Sequence, residues 1–185
     1  MIRWLLLLLG GALLGGVVHI ATVIILPRTA TKDAYSRLEP IVPVNTVTAL
    51  AAPTADAAPI PFMDPAFASA ICRYDLSQGP LKLTVPVRTA YTSVSFYTRH
   101  GVAYYAINDR AAGRRVIELD LMTVEQHNQM PEEEDVTAAD RLIVDSPTLT
   151  GLIAIRAMAP EPGLMPQAQS AVAAAQCRRS DEVKR

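Results

Sequence analysis

A long apolar segment at the amino terminus constrains this chain more than any other feature. The first residues read MIRWLLLLLGGALLGGVVHIATVIILPR, and residues 4–26 carry no formal charge over 23 positions. At about 1.5 Å rise per residue, a helix of that length crosses a hydrocarbon core of roughly 30 Å. The sequence therefore predicts a transmembrane anchor over residues 1–27, with the lipid bilayer as its partner.

A cleaved signal sequence is the alternative interpretation of this segment. Secretory signals have a shorter apolar region of about 7–15 residues, which is followed by small residues at the cleavage site. Here the apolar run is longer, and Arg28 lies three positions from a cut after Ala30. We therefore favour an anchor that the mature protein retains.

The anchor also contains Gly11 and Gly15, a spacing of small residues that lets two helices approach closely. One interpretation is a dimer formed through this helix. The other is a chance spacing in an apolar segment that is rich in glycine. The sequence leaves both open.

The orientation of the anchor depends on two opposing signals. More basic residues follow the segment than precede it, which weakly favours a cytoplasmic body. Cys72 and Cys177 favour the opposite side, because a disulfide that closes a loop of about 100 residues stabilises by roughly 4–5 kcal/mol only in an oxidising compartment. We predict a Cys72–Cys177 disulfide and an extracytoplasmic body, with two buried reduced thiols as the alternative.

Charge gives little support for a nucleic-acid partner. The chain has 17 Lys and Arg against 18 Asp and Glu, for a net charge of −1. It shows no basic stripe interleaved with aromatic residues, so we predict no nucleic-acid binding. The acidic run at 132–135 and the charged tail at 178–185 are typical of solvated loops.

Four regions follow from the patterns along the chain: the anchor, residues 28–61, a globular β-rich domain at 62–177, and the tail at 178–185. Residues 31–38 are predicted to form a short juxtamembrane helix with Thr31 as a cap. Residues 40–61 are predicted to form an Ala/Pro-rich, loosely packed linker. Asp64 and Pro65 predict the start of a helix over 66–72. A last helix is predicted over 163–177.

Between these helices the sequence predicts about six strands with short connections. Apolar residues alternate with polar ones in LKLTV, SVSFYT, VAYYAI, VIELDL, RLIV and GLIAIRA, and Arg99-His100-Gly101 indicates a hairpin turn. The fold class is therefore α+β, a mostly antiparallel sheet or sandwich with flanking helices. The residues expected to face inward are Val94, Phe96, Val116, Leu142, Val144, Ile153 and Ile155. Tyr104 and Tyr105 should point to opposite faces, so that only one is deeply buried.

No motif in the sequence identifies a catalytic site, a cofactor or a metal. There is no CxxC, GxSxG, P-loop or GxGxxG pattern. His127 near the acidic run at 132–135 permits a metal hypothesis, but imidazoles and loop carboxylates are more often surface residues. Asp75, Asp109 and Asp120 could supply acid–base chemistry only if the fold brought them together. Catalytic and ligand-binding residues therefore stay unassigned, with no cofactor and no metal expected.

The motif order does resemble a known family. PFMDPAFASAICRYDLSQGPLKLTVPV, SVSFYTRHGVAYYAINDR, ELDLMT and ADRLIVDSPTLTGLIAIRAMAPEPG together are similar to small bacterial membrane proteins catalogued as domain of unknown function 1254. The resemblance runs from the anchor through Cys177. It implies a mostly β extracytoplasmic module. Together with the anchor and the predicted disulfide, this leads us to expect a single-pass protein of the bacterial inner membrane with its globular domain facing the periplasm.

Larger relatives join such a domain to a second β-rich one, domain of unknown function 1214. The resemblance therefore implies a companion protein that carries the other half. The family has no established activity, and this chain differs from the larger relatives by its short length and its own membrane helix. We expect a membrane-anchored extracytoplasmic protein that acts as a binding or envelope-interaction module. The alternative is an enzyme with an unrecognised active site in the β domain.

Overall fold

The computed structural model describes residues 1–29, 33–54, 56–87, 91–112, 115–130 and 142–180. The chain divides into two compact units, Met1–Asp33 and Ala34–Arg185. The first unit is helix α1, Ile2–Thr29. Its segment Ile2–Leu26 is long and apolar enough to cross a membrane, with a mean hydropathy of 2.2 and no buried part. A signal sequence near the amino terminus shares these properties.

The second unit combines short helices with nine described strands. Its helices are α2 (Ala34–Leu38), α3 (Asp109–Ala112), α4 (Val124–Asn128) and α5 (Met165–Ala173), with a 3₁₀ turn at Pro162–Leu164 before α5. Its strands are β1 (Val47–Ala49), β2 (Phe67–Asp75), β3 (Leu81–Pro86), β4 (Thr92–Thr98), β5 (Ala103–Asn108), β6 (Val116–Thr123), β7 (Leu142–Ser146), β8 (Thr150–Met158) and β9 (Gln176–Arg179).

These strands form two sheets. The first has the order β1-β2-β8-β4-β5 and is antiparallel throughout. The second has the order β7-β6-β3-β9, in which only β6 and β7 run parallel. The α+β fold with mostly antiparallel sheets is therefore confirmed. All six predicted strands are present, and Gly101, at a φ of 80°, lies in the predicted turn between β4 and β5.

One hydrophobic core takes its side chains from both sheets and from α5. Alternate residues of each strand point into it, as the period of two requires. Val94, Phe96, Val144, Ile153 and Ile155 are buried there as predicted, and Leu142 packs against the same core while partly buried. Ala168 and Val172 of α5 complete it.

Val116 was predicted to face inward, and this is wrong. Its side chain is 37% exposed, whereas Ile117, Leu119 and Leu121 are buried. Burial alternates over residues 116–119, where the core face holds the odd-numbered positions and Val116 points the other way.

The helix predicted over residues 66–72 is also wrong, because all but the first of these residues lie in strand β2. The side chain of Asp64 accepts a hydrogen bond from the Ala66 N–H (2.9 Å), which forms a turn rather than a helix cap. Strand β2 pairs with β8 over nine residues and with β1. Its alternate residues, Ala68, Ala70, Cys72 and Tyr74, fill the core. Those long-range pairings override the local helix signals.

The final helix is shorter than predicted. Helix α5 ends at Ala173, and the chain then turns into β9, which places Cys177 opposite Leu83 of β3. The alanines of the last helical turn do not extend the helix through Cys177, because the residues that follow them pair with the edge of β3 as strand β9.

The linker predicted over residues 40–61 differs from the observed structure in its first part. Leu38 and Val42 are buried with Tyr35 on the face of the first sheet that points away from the core, which we call the outer face. These residues and Ile71, Leu152 and Ala154 form the outer cluster. The chain then adds β1 to the sheet. Thr31, the predicted cap, lies outside the described residues.

Arg73 fixes this covering segment to the sheet. Only 5% of the residue is exposed, and its Nη1 donates to the carbonyls of Glu39 (3.1 Å) and Val42 (3.2 Å). Its Nη2 lies 3.5 Å from the Glu39 carboxylate, and its guanidinium stacks on the Tyr35 ring at 4.5 Å. The segment after the first unit is therefore an integral part of the body.

Tyr104 and Tyr105 do not divide between a buried and an exposed face. The pairing of β4 with β5 shifts register between Phe96 and Tyr97, so Tyr104 is an extra residue at a β-bulge. Both tyrosine rings consequently lie near Phe96, at centroid distances of 6.2 and 5.8 Å, and both are partly buried. The prediction assumed a regular strand.

Candidate functional site

A row of polar side chains crosses the outer face. Arg156 of β8 lies opposite Ser69 of β2 on one side and opposite Ser93 of β4 on the other. Ser93 in turn lies opposite Asn108 of β5. Because directly opposed residues of antiparallel strands project on the same side, the sheet register itself assembles this row.

Arg156 is the centre of the row, and its side chain differs from that of Arg73 on the same face. Arg73 is buried and bound to backbone carbonyls, whereas Arg156 is exposed. Within the described part of the chain, no hydrogen bond or ion pair engages the Arg156 guanidinium. An arginine fork presents up to five N–H donors, and a planar anion can accept two of them at once.

Two clefts meet at this arginine. One has a volume of about 180 Å³ and the other about 370 Å³, and Arg156 and Phe67 line both. The Phe67 ring packs edge-on against Tyr91 at 6.4 Å between centroids. We call the two clefts together the Arg156 groove.

The two ends of the Arg156 groove differ in chemistry. The smaller cleft is mostly apolar, with Leu50, Ile60, Phe62, Met63, Ile71 and Ala154 in its lining. The larger cleft has more polar lining residues, and it holds Ser93, Ser95, Asn108 and Tyr91 beside Ala106 and Ile107. Among the described lining residues, Arg156 is the single cation and Asp64 the single carboxylate. The groove thus joins an apolar end to a polar end at one positive charge.

The loop at residues 60–63 forms one wall of the apolar end. Phe62 is fully exposed and has a positive φ of 61°. A bulky residue rarely adopts that backbone conformation, and such strain persists only where the surrounding structure imposes it. Ile60, two residues earlier in the same loop, packs against the outer cluster.

A second polar cluster, of hydroxyl groups, lies inside the sandwich. The Tyr104 hydroxyl donates to the Tyr74 hydroxyl (3.1 Å), and the Tyr74 hydroxyl lies 3.0 Å from the Ser146 Oγ. Ser146 donates to the carbonyl of Thr148 (2.7 Å), and Thr148 donates to the carbonyl of Thr150 (2.9 Å). These bonds fix the turn between β7 and β8 against the sheet.

The hydroxyl cluster is poorly suited to catalysis. Burial raises the pKa of Tyr104 well above its ordinary value of 10.0, because a phenolate is costly to desolvate. A tyrosine in that state stays protonated and is a poor general base. The hydroxyl groups also donate to one another or to backbone carbonyls, which is the pattern of a structural network.

Of the residues singled out from the sequence, the two cysteines are brought together. Cys72 and Cys177 form a disulfide with a Cα–Cα distance of 6.6 Å, within the range of about 4.4–6.8 Å that a disulfide allows. It joins β2 of the first sheet to β9 of the second sheet. It therefore links two strands across the sandwich and not the ends of two helices, as the sequence analysis assumed.

The histidines and aspartates have separate structural environments. His127 pairs through Nδ1 with Asp145 at 2.9 Å, while the acidic run at 132–135 lies outside the described residues. Asp75 accepts a hydrogen bond from the Ser77 N–H in a turn. Asp109 accepts one from the Thr92 N–H, and Asp120 lies buried in β6. In the described part of the chain, no three His, Cys, Asp or Glu side chains are arranged to hold a metal ion.

The sequence analysis missed the Arg156 groove. One signal was present: Arg156 interrupts an otherwise apolar strand, GLIAIRAM. The serines and Asn108 gave no signal, because each belongs to a different strand and only the register aligns them with Arg156.

Comparisons with known proteins bear on the fold and not on the activity. A similar solved structure is that of the VPA0106 protein from Vibrio parahaemolyticus, with a TM-score of 0.60 and 14% identity over 81% of this chain. A second is that of an uncharacterized protein from Burkholderia cenocepacia, with a TM-score of 0.48 and 13% identity over 77% of this chain. This chain spans 34% and 36% of their lengths.

No curated protein matches the sequence. The family match covers both sheets and the disulfide: residues 44–179 fit the family described as "Protein of unknown function (DUF1254)", and the chain belongs to that family.

Proposed function

We propose that this chain is a membrane-anchored, extracytoplasmic protein whose body binds a ligand in the Arg156 groove. The observation that carries the proposal is the position of Arg156, an exposed cation shared by two clefts. Pockets with one oriented charge beside apolar walls are typical of small-molecule sites. The hydroxyl cluster gives no comparable support to an enzymatic function.

Two features support the location. The segment Ile2–Leu26 is long enough to anchor the body in the bacterial inner membrane, and the Cys72–Cys177 disulfide is typical of an oxidising compartment such as the periplasm. Intact-mass measurement of the membrane-extracted protein should find the amino terminus retained. A mature chain that starts near Thr31 would contradict the anchor. External protease added to spheroplasts should digest the body, and complete protection would contradict the periplasmic location.

The binding proposal is tested by what the protein carries out of the cell. Wild-type protein and the Arg156→Met variant are extracted from native membranes, and the small molecules released on denaturation are identified by mass spectrometry. Arg178→Met is the matched control, since Arg178 is an exposed arginine on a strand of the other sheet. A compound retained by the wild type and the control but lost from Arg156→Met is the expected result. Equal small-molecule content in all three would reject the groove as the binding site.

A protein partner is a further part of the proposal. We propose a companion protein that carries a domain-of-unknown-function 1214 module, because larger relatives of the resembled family join such a module to a domain of this kind. Cross-linking in native membranes should trap that companion. Trapping of only a second copy of this chain would instead favour the helix-mediated dimer through Gly11 and Gly15.

A further inference from the structure

We infer that the ligand of the Arg156 groove is a monocarboxylate with an apolar arm, of the fatty-acid class. Its carboxylate would bind Arg156, and its arm would lie along the apolar end beside the loop at residues 60–63. This inference rests on the proposed function and specifies the ligand for the same groove.

The head group follows from the polar row. Arg156 provides the planar fork that a carboxylate accepts with both oxygens. Ser69 and Ser93 are the direct cross-strand neighbours of Arg156, so each adds a hydroxyl group to the same face of the sheet beside it. The charge balance favours a single negative charge. Arg156 is the only cation among the described lining residues, and Asp64 in the same lining would repel a dianion.

The apolar arm follows from the smaller cleft. Its floor is formed by Ile71 and Ala154, which belong to the outer cluster, and its wall by Ile60 and Met63. Phe62 stands fully exposed at the mouth of that cleft, where its ring has no apolar surface to cover it. An acyl chain in the cleft would provide that surface.

A ligand with a carboxylate and an apolar arm also explains why Arg156 and the apolar end occur in the same groove. A small carboxylate without an arm would leave the apolar end unfilled, and an uncharged apolar molecule would leave Arg156 without an anion. Only a molecule that has both parts satisfies both ends of the groove. Its polar neighbours Ser95 and Asn108 lie in the larger cleft, where the head group would retain its contact with water.

The test is calorimetric titration of the full-length chain in phosphatidylcholine nanodiscs, with empty nanodiscs subtracted. The probes are decanoate, butyrate, decanol and decyl phosphate. We expect decanoate to bind at least about tenfold more tightly than butyrate or decanol, because each of these lacks one of the two parts. Arg156→Met should weaken decanoate binding by about 10- to 100-fold, the range for loss of a charged hydrogen bond. Arg178→Met should leave it unchanged.

A Phe62→Ser variant separates the two ends of the groove. It should weaken decanoate binding several-fold and leave butyrate binding unchanged, because only the arm reaches the loop at 60–63. If the variant lost both decanoate and butyrate binding, Phe62 would be required for the fold rather than for contact with the ligand. That result would overturn the assignment of the arm.

The outcomes distinguish this inference from the proposed function. Equal affinity for decanoate and decanol, or tighter binding of decyl phosphate than of decanoate, would overturn the carboxylate class. If a natively retained compound still depends on Arg156, the groove remains a binding site with a different ligand. If neither decanoate nor any retained compound depends on Arg156, both proposals fail.

Discussion

The side chain of Tyr74 fills the space above Gly151, its direct neighbour across the β2–β8 pair. A Cβ at position 151 would overlap the Tyr74 hydroxyl and the carbonyl oxygen of Tyr97. The glycine is thus required by close approach, since Gly151 has no positive φ. It allows the Tyr74 hydroxyl to reach Ser146 and the Tyr97 carbonyl, and so makes the hydroxyl cluster possible.

We therefore expect Gly151→Ala to lower the free energy of unfolding by about 2–3 kcal/mol, the usual cost of overpacking a rigid site. Urea unfolding monitored by circular dichroism measures this change in the free energy of unfolding. Gly163→Ala is the control, because a Cβ there meets no atom within 4 Å, and it should change stability by less than about 1 kcal/mol. Equal effects of the two substitutions would contradict the close contact.

Removal of the cross-sheet disulfide should lower the free energy of unfolding considerably more than Gly151→Ala does. The bond closes a loop with a sequence separation of 105 residues, for which chain entropy gives about 4–5 kcal/mol. The Cys72→Ala/Cys177→Ala variant should unfold at a correspondingly lower urea concentration than the oxidised protein. Thiol labelling of unfolded, unreduced wild-type protein should detect no free thiol. Two labelled thiols per chain would refute the bond in the cell and remove the main support for a periplasmic body.

The raised pKa of Tyr104 predicts a loss of stability in alkali. In the unfolded chain this phenol ionises near pH 10, whereas burial keeps it protonated in the folded protein. Above about pH 10 the unfolded state therefore binds fewer protons than the folded state, and the free energy of unfolding falls as pH rises. Tyr104→Phe removes this group, so its stability should fall less steeply between pH 9 and pH 11. Parallel curves for the variant and the wild type would contradict the shift.

Arg73 should hold the segment from Ala34 to Val42 against the outer face. Arg73→Met removes its two hydrogen bonds to backbone carbonyls and its stacking on Tyr35. We expect the free energy of unfolding to fall by about 1.5–3 kcal/mol, because the lost hydrogen bonds involve a charged donor. Hydrogen exchange of the amides in residues 34–42 should become faster by a matching factor.

Arg99→Met provides the comparison for that experiment. Arg99 also stacks on the Tyr35 ring, at 4.8 Å, but it is exposed. Loss of this stacking should lower the free energy of unfolding by less than about 1 kcal/mol, as is usual for an exposed cation–π pair. An Arg99 effect as large as that of Arg73 would show that stacking, and not the carbonyl bonds, holds the segment.

The sequence by itself determined the features that depend on local periodicity. The uncharged run at residues 4–26 predicted the apolar helix α1, and alternation with period two located six strands and the turn at Arg99-His100-Gly101. The two cysteines of the chain also led to the prediction of a Cys72–Cys177 disulfide, with two reduced thiols as the alternative. The helix and strand signals need no knowledge of distant contacts.

The tertiary structure decided what depends on contacts between distant segments. Residues 66–72 carry helix signals but form β2, because pairing with β8 and burial between two sheets outweigh a local cap. The bulge at Tyr104 and the outward direction of Val116 likewise follow from register. The Arg156 groove is the clearest case. Ser69, Ser93 and Arg156 come from three strands separated along the chain, and only the hydrogen-bonded register of an antiparallel sheet places them side by side.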